Sequence, residues 1–117
     1  MKNLNEKEPL NDFEKSLIQP FQNSFKNHVG KKKAVTYNEI ERWIKKRYGK
    51  TIGGSRVRKI INHIRCNGFV HRLVASSDGY YVETNDEELR KYIHSLEKKA
   101  GAIQAVANAL KIQLNDK

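Results

Sequence analysis

Residues 55–68, SRVRKIINHIRCNG, decide how this chain is read. Val57, Ile60, Ile61 and Ile64 recur at three- and four-residue steps, which gathers them on one stripe of a 3.6-residue helix. The remaining positions, Ser55, Arg56, Arg58, Lys59, Asn62, His63 and Cys66, are nearly all hydrogen-bond donors. Gly68 supplies the stop. The stretch therefore predicts a helix from about Ser55 to Asn67, apolar on one side and cationic on the other.

Upstream, the glycine-containing segment from Gly49 to Ser55 predicts a tight turn between two helices. The helix before it opens on a capping box, Thr36 with Glu39, and runs from Tyr37 to Tyr48. Ile40, Trp43, Ile44 and Tyr48 form its inward face, while Arg42, Lys45, Lys46 and Arg47 project outward. Lys31, Lys32 and Lys33 make an exposed basic corner, and Ala34-Val35 is a stub of strand. An amphipathic helix is expected from Asp12 to about His28, on the spacing of Phe13, Leu17, Ile18, Phe21, Phe25 and Val29. Pro20 is expected to bend or split it and Gly30 to end it. Residues 1–11 are polar around Pro9 and read as a flexible arm.

Downstream of Gly68 the period becomes extended. Residues 69–74 and 80–83 are β-prone runs, and Ser76-Ser77-Asp78-Gly79 carries a hairpin signal. Alternation sends one of Tyr80 and Tyr81 to the core, which argues against a stacking platform for single strands. Trp43 and Phe69 read as core residues. Thr84 and Asn85 offer alternative caps for a long last helix from Asp86 to about Gln113. Along it Leu89, Ile93, Leu96, Ala100, Ile103, Ala107 and Leu110 follow a heptad rhythm that demands a partner surface. A second copy, docking through Leu89, Ile93, Leu96, Ala100, Ile103 and Leu110, is one such surface. The chain's own first helix is another.

The chain has 117 residues and a formal net charge of +10, and the excess is concentrated. Residues 31–75 hold thirteen Lys and Arg against two acids, Glu39 and Glu41, whereas the segments on either side are close to balanced. Concentrated positive charge is what phosphate binding through counterion release requires. A single cysteine excludes an internal disulfide and a thiolate metal cage. The four histidines show no ligand spacing. Gly49-Lys50-Thr51 lacks the earlier glycine of a phosphate-binding loop, since position 44 is Ile44. No enzymatic activity, metal or cofactor is expected. The polar start and the lack of a long apolar run predict a protein of the cytoplasm, in a bacterial cell or a phage-infected host, with no membrane partner.

The order helix, stub strand, helix, short turn, helix, hairpin, helix, with Thr36-Tyr37-Asn38-Glu39-Ile40, Arg56-Val57-Arg58-Lys59-Ile60-Ile61-Asn62 and Ser76-Ser77-Asp78-Gly79-Tyr80-Tyr81, resembles a winged helix-turn-helix domain. In detail it is similar to small winged-helix proteins carried by phages and prophages. The resemblance implies a mainly α fold with a small β-hairpin: an arm over 1–11, a winged-helix domain over 12–85 and a C-terminal helix over 86–117 for packing or dimerisation. It implies duplex DNA binding, as a transcriptional regulator or replication accessory, with the third helix in the major groove and the hairpin at the backbone or minor groove. Arg56 and Arg58 then suit guanine, Asn62 suits adenine, and Lys59 and His63 reach bases or phosphates. Ser55 at the helix start, Lys31, Lys32, Lys33 and Lys46, and Arg72 in the hairpin are the expected phosphate contacts. The hairpin tip carries no positive charge, unlike many wings. Two other functions fit the same residues: a protein-interaction module docking through the last helix, and RNA or single-strand binding.

Overall fold

The structure, a computed structural model, describes residues 9–116. They divide into two compact units, with the boundary in sequence between Thr84 and Asn85. The first unit is mainly helical with a small antiparallel hairpin. It contains α1 (Asp12–Ser16), α2 (Ile18–Phe25), a 3-10 turn (Lys31–Lys33), α3 (Tyr37–Tyr48), α4 (Gly54–Cys66), β1 (Leu73–Ser76) and β2 (Gly79–Val82). The second unit is one helix, α5 (Asp86–Asn115).

The expected first helix is two helices, and the break falls at Leu17 rather than at Pro20. Pro20 has no N–H to give the carbonyl of Ser16, and its ring crowds that carbonyl. The first helix therefore closes at Ser16, and the proline sits in the first turn of the next, where its missing donor costs little. Leu17 fills the joint and is fully buried. The second helix ends at Phe25, ahead of Gly30, through short-range bonds from Asn27 to the Ser24 carbonyl and from His28 to the Phe25 carbonyl. Val29 lies beyond it, is 42% exposed, and forms a bridge with Val82 instead of extending the apolar stripe. The expected arm also needs correcting at its end. Residues 1–8 lie outside the described residues, but Leu10 is buried in the core and Asn11 caps α1.

Both halves of the capping box that starts α3 are present, with Glu39 N–H donating to Thr36 Oγ1 and Thr36 N–H donating to Glu39 Oε1. Gly49 ends α3 with φ of +68°, a left-handed conformation that glycine adopts without steric cost. The turn is anchored by the buried Ile52 and leads to α4, which starts one residue earlier than expected. Val57, Ile60, Ile61 and Ile64 of α4 have no solvent exposure. They form one core with Leu17, Phe21, Phe25, Ile40 and Ile44. Trp43 and Tyr48 are half-buried against it, in an edge-to-face pair with ring centroids 5.9 Å apart.

The hairpin is shorter than its β-prone sequence. The Phe69 N–H bonds the Ile64 carbonyl across Gly68 in a helix-terminating motif, and Arg72 adopts φ of +63°. Both keep residues 69–72 out of extended geometry, so the strand starts at Leu73. Phe69, expected in the core, is 42% exposed. Tyr81 is buried and Tyr80 is half-buried against the core. Strand pairing runs from Leu73 opposite Val82 to Ser76 opposite Gly79, leaving Ser77 and Asp78 as the loop. The expected stub strand contributes Val35, whose N–H and carbonyl both bond Tyr80, at 2.9 and 2.8 Å. That approach explains Gly79: a Cβ there would lie 2.4 Å from the Val35 carbonyl oxygen.

Asn85 is the cap chosen for α5, its Oδ1 accepting from Glu88 N–H, and Asp86, Glu87 and Glu88 complement the positive end of the helix dipole. The helix extends two residues past the expected end, to Asn115. No described helix is long and apolar enough to cross a membrane.

Gly79→Ala should lower the stability of the first unit by at least about 2 kcal/mol, because it adds both a steric clash with backbone and a strained φ. Thermal unfolding of the full chain followed by near-UV circular dichroism checks this. A melting temperature within about 2 °C of the parent would contradict the close approach of residue 35 to the hairpin.

Candidate functional site

The packing of α4 determines what it presents. With its apolar stripe wholly inside, the opposite side is a strip of exposed Ser55, Arg58, Asn62 and Cys66. Gly54 lies so close to α3 that an added Cβ would stand 3.1 Å from the Tyr37 ring. This proximity puts the ring beneath Arg58, whose guanidinium carbon lies 5.3 Å from the ring centroid. An arginine resting on an aromatic face loses little hydrogen-bonding capacity, because its N–H groups point out in the guanidinium plane. The first turn of α4 has no side-chain cap, Gly53 being the N-cap.

Arg56 and Lys59 do not share that strip with Arg58 in the way the sequence suggests. They turn toward Glu14 of α1, a fully buried carboxylate. Arg56 Nε donates to Glu14 Oε2 at 2.8 Å, and Lys59 Nζ lies 3.6 Å from Oε1. Asn11 N–H donates to the same Oε1 at 2.8 Å, closing a capping box in which Glu14 N–H donates to Asn11 Oδ1. Burial pushes the Glu14 carboxyl up. The Arg56 hydrogen bond, the Asn11 N–H and the charges of Arg56 and Lys59 outweigh it, so the carboxyl sits below its ordinary value. The Arg56 side chain remains 47% exposed and the Lys59 side chain 26%.

The other expected contacts scatter around the first unit. His63 is half-buried, with its ring 5.8 Å from that of Phe69. Arg65, which is not among the expected contacts, donates through Nε to the Leu73 carbonyl. Arg72 Nε donates to the Glu83 carbonyl, and Glu83 N–H donates back to the Arg72 carbonyl, so this arginine closes the base of the hairpin rather than extending from its tip. Lys31, Lys32 and Lys33 are exposed on their 3-10 turn, and Lys46 is exposed on α3. The structure adds one link: Lys31 Nζ lies 3.5 Å from Asp78 Oδ2. The lysine turn thereby borders the hairpin tip, which has no cation of its own.

The contributions of Glu14 and Tyr37 went unread in the sequence. Asn11-x-x-Glu14 has the spacing of a capping box and was legible as one, but the pairing of Glu14 with residues 42 and 45 positions away was not. Among the described residues no three His, Cys, Asp or Glu side chains gather as a metal site would need. No protein family, curated protein or solved structure matches this chain.

Glu14 makes stability depend on acidity. Its folded value is depressed, so its contribution is fully present above the unfolded carboxylate value, about 4.3, and is lost as pH falls through the folded value. Glu14→Gln should cost about 1–3 kcal/mol at pH 7, since two cations lose their buried partner. The gap from the parent should narrow below about pH 4. Urea unfolding across pH 3–7 measures both, and a gap independent of pH would show that the carboxylate charge contributes nothing.

Proposed function

We propose that the first unit is a winged helix-turn-helix domain that binds duplex DNA with α4 in the major groove. The observation that carries this reading is the outward strip of α4, where Ser55, Arg58 and Asn62 stand exposed directly opposite a stripe with no solvent contact. A helix fits the major groove, and a guanidinium fork and a carboxamide on its outer side match the edges of guanine and adenine. The concentration of thirteen basic residues in 31–75 supports the same reading, because it supplies the sequence-independent part of affinity.

In this reading each residue has a distinct role. Arg58 and Asn62 read base edges, with the Arg58 guanidinium lying over the Tyr37 ring. Ser55 and the uncapped N–H groups at the start of α4 take a phosphate oxygen. Lys32, Lys33 and Lys46 neutralise backbone phosphates without reading sequence. Arg56 and Lys59 join them from the flank, their charge already shared with Glu14. Arg72 is a hairpin brace, and the lysine turn beside Asp78 does the work expected of a charged wing tip. The resemblance to small phage and prophage proteins extends the proposal to regulation of transcription or to replication.

Fluorescence anisotropy with a pool of random duplexes, followed by selection of bound sequences, tests this. Arg58→Ala and Asn62→Ala should each weaken the selected duplex about 10-fold and relax one base position. Lys32→Ala with Lys33→Ala should weaken all duplexes alike and flatten the salt dependence, for which six phosphate contacts give a log–log slope of about −5. Tighter binding to RNA or single strands than to any duplex, or affinity unmoved by Arg58→Ala, overturns the reading.

A further inference from the structure

We infer that α5 is a dimerisation element in which two copies of this chain pair antiparallel along residues 89–114. This rests on α5 alone and is independent of DNA binding. The helix has 30 residues and none of them is buried. Leu96 is 41% exposed, Ile103 71%, Leu110 57% and Leu114 75%. Helices in water depend on packing an apolar face, and so long an uncovered strip is unusual on a monomer.

The sequence of the strip selects both the occupant and its direction. From Leu89 to Leu114 the seam advances in alternating steps of four and three, the rhythm of a two-helix seam. The positions fall into two sets: Ile93, Ala100, Ala107 and Leu114 at a, and Leu89, Leu96, Ile103 and Leu110 at d. A parallel pair would face Ala100 with Ala100 and Ala107 with Ala107, leaving two thin layers between thick ones. Flanking charges do not choose the direction: the parallel flanks, Tyr92 with Glu97, Lys99 with Gln104 and Val106 with Lys111, include no opposite charges, and neither do the antiparallel ones, so the layers decide.

An antiparallel pair satisfies one register throughout. Ile93 faces Leu110 of the second copy, Ala100 faces Ile103, Ala107 faces Leu96, and Leu114 faces Leu89. Each alanine meets a large side chain, so the layers fill evenly, and the two helix dipoles oppose. The adverse flank sets Arg90 near Lys111 of the second copy; both are exposed, where solvent and salt screen them. The overlap covers about 39 Å of helix and removes on the order of 1,500 Å² of surface in total, within the range of specific interfaces. It sets the two Asp86 ends on the order of 45 Å apart, whereas a parallel pair sets them side by side.

Sedimentation equilibrium of the full chain between about 1 and 100 µM should give twice 13.6 kDa. Ile103→Asp, at an exposed position that leaves the first unit intact, should weaken association at least about 100-fold. In a Cys66→Ser background, oxidation of a mixture of Leu89→Cys and Leu114→Cys chains should give the mixed cross-link, and neither variant alone should cross-link. A monomer at the highest concentration, a mass above the dimer, self-cross-linking of Leu89→Cys, or a dimer undisturbed by Ile103→Asp overturns the inference. Because Arg58→Ala leaves the seam untouched, loss of DNA binding with the dimer mass retained, or the reverse, separates the two proposals.

Discussion

The first unit depends on the complete burial of Val57, Ile60, Ile61 and Ile64 on one side of α4. Four branched aliphatic side chains without solvent exposure fix the rotation of that helix about its own axis, because turning it would expose one edge of the stripe and bury a cation at the other. Everything on the outer side inherits its direction from that constraint. Ser55, Arg58 and Asn62 face solvent because their neighbours cannot. The tight approach at Gly54 then sets α3 close enough for Tyr37 to support Arg58.

Glu14 is the polar counterpart of that stripe. A fully buried carboxylate is costly unless it is paired and hydrogen-bonded, and this one has Arg56, Lys59 and the Asn11 N–H around it. The arrangement ties the five-residue α1, too short to persist alone, to α4. It also separates Arg56 and Lys59 from Arg58. Those beside Glu14 have part of their charge satisfied within the fold, while the Arg58 guanidinium lies over the Tyr37 ring. The hairpin shows the same economy, with Arg72 bracing its base and Lys31 reaching Asp78 at its tip.

Local signals in the sequence were readable wherever a single element satisfied its own chemistry. The Thr36–Glu39 box, the stop at Gly49, the stripe of α4 and the cap and length of α5 all appear at or within two residues of their expected places. Expectations failed where something other than an element's own periodicity intervened. Pro20 acts on the carbonyl four residues back, which moves the break to Leu17. Arg72 turns left-handed to meet Glu83, which delays β1, and Val29 gives up the helical stripe for a bridge with Val82. Phe69 looks like a core residue by composition, yet the helix-ending turn at Gly68 directs it to the surface beside His63.

Periodicity and charge alone determined that this chain is mainly helical with a short hairpin, that its excess of positive charge lies between residues 31 and 75, and that its last helix carries heptad-spaced apolar residues. These are properties of one residue and its neighbours three or four along, which a linear string records. Tertiary structure decided what individual cations meet. Arg56, Arg58 and Lys59 stand within four positions of one another and look equivalent as a string, but the fold brings a buried carboxylate to two of them and an aromatic face to the third. The partners come from α1 and α3, and electrostatic pairing acts over ångströms in space regardless of separation along the chain.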